Sequence, residues 1–393
     1  MGKALARCKR FLMRLQTAWS VVGITLVLLL LVECGFRVAF ALRDRLSAPA
    51  SPDQRIFAEG YAGATWLKQH YREIESLEEG WRPYVLFRPN AFHGKTITIG
   101  SDGLRATWQP PPPSGQENSR RAVKLLMLGG SSLWGFGARD DQTIPSLLAR
   151  KLFERGIPVE VRNLSGLGYV STQEVIGLFR ELQEGYRPDV VIFYDGVNDT
   201  TSALLSREAG VTTNEINRRK EFNLLQSPGR LARALGGKLL ADSGSLRFAR
   251  AVNSRLERPG PGSSAPLPDD TINRLAGDVA DRYVANVKIV ETLARGFGFR
   301  PLFYWQPNIF MKAELTPVER EEAQKYAWTE SAFRAVNERI SASSELRADP
   351  AFHDMSQIFV AEKTLVFIDY CHTTEIANAQ IADQMAANLA EMK

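Results

Sequence analysis

Five apolar runs punctuate the chain: Val123–Leu128, Val159–Val161, Val190–Tyr194, Leu302–Trp305 and Leu365–Ile368. Short apolar runs bounded by turn residues read as buried strands. Between them the apolar positions change to helical spacing. Ile144, Leu147, Leu148 and Leu152 lie on one helical face that Gly156 closes. Ser171-Thr-Gln-Glu174 reads as a capping box ahead of Val175, Leu178, Phe179 and Leu182. Asp269 or Asp270 starts a helix facing inward through Ile272, Leu275, Val279, Tyr283, Val287 and Val290, and residues 375–391 read as a closing helix. Near-continuous apolar strands alternating with helices predict an α/β protein, a three-layer α/β/α domain around a five-stranded parallel sheet.

That alternation begins only at about residue 121. Residues 43–120 carry a helical stretch near Trp66–Leu77, an alternating Lys95-Thr-Ile-Thr-Ile99 and a turn at Ser101-Asp-Gly. They end in Pro110–Pro113, a stiff connector, since proline enters neither a helix interior nor a central strand. The expected organisation is an accessory segment over 43–120 and a main domain over 121–393. An insertion at 201–268 ends in the Pro/Gly/Ser-rich stretch Pro259–Pro268, and no internal repeat is present.

The N-terminus follows another pattern. Thr17–Val32 is free of charge, and the apolar character continues to Leu42, broken only by Glu33 and Arg37. As a helix, residues 17–42 span roughly 39 Å, enough to cross a hydrocarbon core of about 30 Å. Glu33 and Arg37 lie four apart and can pair. Lys3, Arg7, Lys9, Arg10 and Arg14 fill the tail 1–16, which predicts a cytoplasmic N-terminus and an extracytoplasmic main domain, a single-pass protein of the cytoplasmic membrane. Ala39-Phe40-Ala41 offers a cleavage site as the alternative. Glu33 spoils a lipoprotein box before Cys34, and Cys8 is a juxtamembrane thiol open to palmitoylation or idle.

Charge follows the same division. Residues 1–45 carry a net +6 and the rest a net −1, so the overall +5 is a property of the tail and nucleic acid is excluded as a partner. With 44% hydrophobic and 24% charged residues the chain is globular. Three cysteines without a CxxC pair suggest neither a disulfide framework nor a structural metal, and no metal or cofactor is expected. Protein partners cannot be read from these residues.

Ligands of open parallel sheets bind beyond the carboxyl ends of the strands. Those ends carry Gly129-Gly130-Ser131-Ser132, then Asn163-Leu-Ser-Gly-Leu-Gly168-Tyr169, Gly196-Val-Asn198-Asp199 and Asp369-Tyr-Cys-His372. A serine, glycine amides, an Asn amide and an Asp/His pair are the parts of a serine acyl-transfer site. The glycines match neither GxGxxG nor a phosphate-binding GxxxxGK[ST], and G-x-S-x-G is absent around Ser131. Of four histidines, only His372 follows an apolar run with a carboxylate three residues earlier.

Taken together these segments resemble the SGNH (GDSL-type) hydrolases. Gly129-Gly130-Ser131 is similar to the first family block, Gly168 to the glycine of the second, Gly196-x-Asn198-Asp199 to the third and Asp369-x-x-His372 to the fifth, in family order. The anchor with Glu33 and Arg37 and the Gly103-Leu-Arg stretch resemble its membrane-anchored bacterial branch. The resemblance implies a flavodoxin-like sheet, Ser131 as nucleophile, His372 as base and Asp369 as its orienting acid. It also implies an oxyanion hole from the amides of Ser131 and Gly168 and the side chain of Asn198. Gly130 departs from the family, which has Asp there.

Other roles compete. Ser131 can be a helix cap, Ser132 the nucleophile in its place, Asn198 a brace for its turn and Asp369 a cap for the last helix. Cys371 reads as a space-filler. The expected activity is hydrolysis of an ester, with an O-acylated (acetylated) envelope carbohydrate as substrate. Transfer of the acyl group to a sugar hydroxyl, or a non-catalytic glycan-binding or scaffold role, are the alternatives. Trp134, Phe136, Trp305 and Gln306 are the side chains expected to face a sugar.

Overall fold

The computed structural model describes residues 2–46, 64–110, 121–241, 243–248 and 267–391. The linker 47–63, Pro111–Pro113 and most of the Pro259–Pro268 stretch lie outside them. The chain divides into two compact units, Met1–Pro52 with Arg218–Ala265, and Asp53–Asn217 with Pro266–Lys393.

In chain order the helices and strands are α1 (Gly2–Leu46), α2 (Leu67–Glu75), β1 (Glu79–Arg82), β2 (Leu86–Pro89), β3 (Phe92–His93), β4 (Thr98–Ile99), β5 (Val123–Gly129), α3 (Ser131–Trp134), α4 (Ile144–Glu154), β6 (Val159–Asn163), α5 (Ser171–Gln183), β7 (Val190–Asp195) and α6 (Val197–Ser206). There follow α7 (Glu215–Leu225), α8 (Pro228–Ala241), α9 (Asp269–Phe297), β8 (Arg300–Trp305), α10 (Pro317–Lys325), α11 (Ala327–Ala342), α12 (Ser344–Ala348), β9 (Phe352–Asp354) and α13 (Glu375–Glu391).

The smaller unit is built on α1. Met13–Arg43 is apolar and long enough to cross a membrane, and Ile24, Leu28 and Leu31 on it are exposed. Glu33 accepts from Arg37 Nε at 2.7 Å. It also takes the amides of Gly244 (2.7 Å) and Ser245 (3.1 Å). Phe248 stacks on Phe36 with ring centroids 4.6 Å apart, and Arg247 lies over the Phe40 ring. Residues 243–248 of the insertion thus return to the N-terminal helix.

The larger unit holds a five-stranded sheet in the order β6-β5-β7-β8-β9, with every pairing parallel. Alternation along each strand divides the core. Leu125, Met127, Ile192, Tyr194 and Tyr304 point to one face with Leu148 of α4 and Ile381 of α13. Leu126, Leu128, Val191, Phe193 and Trp305 point to the other with Leu178 of α5, Val287 of α9 and Val336 of α11. Both faces are covered, which is why the strands are apolar throughout rather than at alternate positions.

Leu365–Ile368 is not the fifth strand. That place belongs to β9, whose Phe352, His353 and Asp354 pair with Phe303, Tyr304 and Trp305. The apolar run is buried, but its amides go elsewhere. Val366 N and Phe367 N donate to the buried carboxylate of Glu319 at 2.9 and 3.0 Å, and Ile368 N donates to His372 O at 2.9 Å. Lys312 Nζ compensates Glu319 at 2.5 Å. Nor does Ser171 open a capping box. It is the first helical residue of α5, and its hydroxyl turns to Asp199 at 2.6 Å.

Residues 64–108 pack onto the sheet's loops. Arg105, on the Gly103-Leu-Arg stretch, is fully buried and donates to the carbonyls of Trp134 (3.1 Å) and Ala138 (2.6 Å) and to Asp140 Oδ1 (2.9 Å). It therefore clamps both sides of the loop that follows α3. Glu73 accepts the amides of Lys95, Thr96 and Ile97 at 2.7, 3.0 and 3.1 Å. Burial pushes its carboxyl up, but these bonds and Gln69 outweigh it and hold it at about 2.

Candidate active site

Three strand-end loops converge with the segment that follows Leu365–Ile368. β5 leads through extended Gly130 into the short α3, whose first residue is Ser131. The loop after β6 crosses the end of β5, with Leu164 N on Met127 O (2.8 Å) and Gly166 N on Gly129 O (3.0 Å), and reaches Gly168 at φ +72°. Gly196 follows β7, where φ is +129° and a Cβ would press on the Trp305 ring, so only glycine fits. The loop folded around Glu319 delivers Asp369 and His372.

Ser131, His372 and Asp369 form one hydrogen-bonded line. Ser131 Oγ is 2.7 Å from His372 Nε2, and His372 Nδ1 is 2.6 Å from Asp369 Oδ2. The second carboxylate oxygen accepts the amides of Cys371 (2.9 Å) and His372 (2.8 Å), which fixes the carboxylate and the backbone that carries the imidazole. Burial pushes the Asp369 carboxyl up, but His372 and these hydrogen bonds prevail and hold it at about 2. An ionised Asp369 requires the proton on Nδ1 and leaves Nε2 to accept from the serine. The Phe136 ring stacks on the imidazole at 4.4 Å.

Ser132 lies outside this line. It is buried, donates to Cys371 O at 3.3 Å and accepts from Gln306 Nε2 at 3.5 Å. Cys371, with Asp369 and His372, brings ligand atoms within 4.8 Å of one another. A metal does not fit there. The 2.6 Å between Nδ1 and the carboxylate is a hydrogen bond with no room for an ion, and burial with the neighbouring Asp369 keeps Cys371 a thiol.

Asn198 and the Tyr169 carbonyl, next to Gly168, lie against Gly130 just before the serine. Asn198 Nδ2 donates to Tyr169 O at 2.8 Å and packs against the Cα of Gly130. Gly168 O accepts from Thr213 Oγ1 at 2.8 Å. Asp199, one residue on from Asn198, accepts Ser171 N at 3.1 Å and so ties this turn to the start of α5. Beneath lies a buried acidic group. Burial pushes Asp199 up to about 6 and Asp195 up to about 8, and raises Glu174 well above its ordinary range. Glu174 and Asp195 adjoin, and burial with the neighbouring carboxyls disfavours their charged forms.

Two of the expected sugar-facing aromatics are core. Trp134 is buried under Arg105, and Trp305 is buried with Nε1 on Asn337 Oδ1 at 2.7 Å. Gln306 is buried as well. Trp81 and Tyr84, on the β1–β2 hairpin, are exposed, as are Phe153, Phe179 and Phe297. His70, on α2, is buried, with Nε2 donating to Phe136 O at 2.9 Å. Burial first, then nearby Arg105, hold its imidazole near 4, so it is neutral. His70 and Arg105 thus brace the loop that presents Phe136 to the His372 imidazole. For Arg105 the Gly-Leu-Arg stretch was a visible signal; for His70 there was none.

No protein-family model matches the chain, and no curated protein matches it. Solved structures similar to it include the acetyl xylan esterase AlAXEase, at 14% identity over 67% of this chain and 98% of that one, TM-score 0.34. Est24, a carbohydrate acetylesterase from Sinorhizobium meliloti, is 13% identical over 69% and 100% of the two chains, TM-score 0.39. A member of the lipolytic G-D-S-L family from Veillonella parvula is 11% identical over 69% and 97%, TM-score 0.37. At these values the likeness carries no argument about chemistry, which rests on the residues themselves.

Proposed function

We propose that the chain is a membrane-anchored serine esterase that cleaves acyl esters on an extracytoplasmic carbohydrate. One observation carries this reading: Ser131 Oγ, His372 and Asp369 are in hydrogen-bond line at 2.7 and 2.6 Å. A serine is a weak nucleophile until a base takes its proton. His372 Nε2 removes the Ser131 proton as Oγ bonds to the ester carbon, and Asp369 stabilises the imidazolium. The amides of Ser131 and Gly168 and the side chain of Asn198 receive the developing oxyanion. His372 then protonates the departing alcohol, leaving an acyl-serine. Water attacks with its proton passing to His372, and the acid leaves as Ser131 is reprotonated.

The exposed apolar length of α1 supports the anchor, and the cations ahead of it support a cytoplasmic N-terminus. A site held at the outer face of that membrane meets envelope polysaccharides, and exposed Trp81 and Tyr84 suit sugar rings. The test uses the full-length protein in detergent. A fluorophosphonate should label it, and labelling should vanish in Ser131→Ala. Acetylated glycans and long-chain lipid esters are then offered side by side, with acetate release and acetyl transfer followed separately. Preference for the lipid esters overturns the substrate, transfer outrunning release makes the enzyme a transferase, and absence of labelling overturns the serine chemistry.

A further inference from the structure

Between the β1–β2 hairpin and α5 lies a cavity of about 190 Å³ into which Arg82, Arg88, Arg162 and Arg180 converge. We propose that it is a subsite for one anionic group, a carboxylate or a phosphate, on the glycan whose ester Ser131 cleaves; the substrate half of this statement rests on the esterase reading above.

The charges in the cavity are not balanced. Arg162 is matched by Glu181 at 3.1 Å and Arg180 by Glu184 at 3.2 Å. The remaining acid, Asp102, accepts Leu104 N at 3.0 Å within its own turn. Among the described residues no carboxylate lies within ion-pair distance of Arg82 or Arg88, while Arg88 faces the Glu181 that Arg162 holds and bonds the Tyr169 hydroxyl. Arg82 Nη1 donates only to the carbonyl of its neighbour Trp81, at 3.2 Å. Arg88 Nε is buried without a hydrogen-bond partner. A buried guanidinium N–H left unmade is costly, and a planar fork with spare donors is the group that grips carboxylate and phosphate in pairs of bonds.

The seat for Arg88 is built into the backbone. Gly103 has φ +78°, and a Cβ there would lie 2.9 Å from Arg88 Cδ and 2.9 Å from Pro89 O. Glycine at that turn lets the arginine stem lie across it. Holding the hairpin down is the work of other bonds, Arg180 Nη1 on Pro83 O at 2.9 Å and Gln173 Nε2 on Val85 O at 3.0 Å. Arg82 is surplus to that task, and Arg88, which bonds the Tyr169 hydroxyl, keeps its buried Nε out of it.

One side chain separates the cavity from the oxyanion end of the site. Arg88 adjoins the Tyr169 hydroxyl, which donates to Phe87 O, while Tyr169 O receives Asn198 Nδ2 at 2.8 Å. An anion in the cavity therefore sits a tyrosine's length from the loop that flanks Ser131. That spacing suits a charged sugar unit next to the acylated one.

The experiment compares full-length wild type, Arg82→Gln/Arg88→Gln and Arg82→Lys/Arg88→Lys in detergent. Substrates are acetylated oligosaccharides containing a uronate, containing a phosphodiester, or neutral. The Gln pair should raise KM for a charged substrate by about tenfold or more with kcat little changed, as expected for loss of charge-assisted contacts made equally in ground and transition states. Neutral substrate should be unaffected, and the Lys pair should fall between. The charged substrate with the larger effect names the anion. Separately, glucuronate and inorganic phosphate are titrated into each protein by calorimetry. Binding to wild type that the Gln pair loses upholds the subsite even if no ester is cleaved, which would overturn only the esterase reading. Equal KM changes for charged and neutral substrates, or no anion binding by a wild type that still takes the fluorophosphonate, overturn the subsite. If the Gln pair does not fold, the Lys pair decides, because loss of the fork with charge retained must still weaken charged substrates selectively.

Discussion

Gly130 and Asn198 occupy adjoining halves of one space: the Asn198 amide nitrogen lies where a Cβ on residue 130 would project. This gives a physical account of the glycine that stands where the resembled family has Asp. Backbone angle is not the reason, since Gly130 is extended at φ −80°. Any side chain at 130 must push Asn198 off Tyr169 O. Gly130→Ala should therefore lower kcat with little change in KM, and Asn198→Ala should cut turnover by roughly 10²–10³. The double variant should be no worse than Asn198→Ala alone, because both act through one amide. Additive losses in steady-state kinetics would mean that Gly130 acts independently of Asn198.

The two adjacent serines should separate cleanly. Ser132 is buried and bonded to Cys371 O, away from His372. Ser132→Ala should keep fluorophosphonate labelling within a fewfold of wild type, while Ser131→Ala abolishes it. The reverse pattern on a labelled gel would move the nucleophile.

Asp369→Asn should cost up to about 10⁴ in turnover through the wrong imidazole tautomer. It should also change acid stability. The Asp369 carboxyl is held at about 2, below its unfolded value near 3.8. Its stabilisation is present above pH ~4 and is lost as pH falls towards 2. The variant should show a shallower fall of melting temperature across that window.

The Glu174–Asp195 pair should act in the opposite sense. Burial raises Asp195 to about 8, far above its unfolded value. The unfolded chain then releases a proton that the folded one keeps. The pair's stabilisation is complete below pH ~4 and is lost as pH rises through about 8. Asp195→Asn, which cannot ionise, should melt with a weaker pH dependence between 5 and 8. Equal slopes in the two melting series would show that the Asp195 carboxyl is not raised.

Arg105→Gln should destabilise the larger unit by about 3 kcal/mol, since it leaves Asp140 and several buried carbonyls without their donor. Chemical denaturation measures the loss. Unchanged stability would mean that the loop after α3 holds itself.

The sheet was legible because its strands are buried on both faces, which leaves unbroken apolar runs at Val123–Leu128, Val190–Tyr194 and Leu302–Trp305. The candidate triad was legible because each member follows such a run. Leu365–Ile368 misled for the same reason: burial and strand pairing usually coincide, and here the buried carboxylate of Glu319 took the amides instead. β9 escaped notice because an edge strand of three residues carries too little apolar pattern. Trp134 and Trp305 misled because an aromatic at a strand end fits a core as well as a cleft. The Arg82–Arg88 cavity joins residues distant in sequence, and no local pattern announces it.

The Glu33 carboxylate finds two kinds of partner at very different times. Arg37 is four residues away and is present as soon as the first helical turns form. Gly244 and Ser245 are 211 and 212 residues further along. At 5–20 residues per second, they emerge from the ribosome roughly 10–40 s later. Through that interval the arginine alone must neutralise the glutamate within an apolar helix. In Arg37→Ala the nascent helix would carry an uncompensated charge, so the defect should appear in insertion yield during synthesis rather than in the stability of the finished protein.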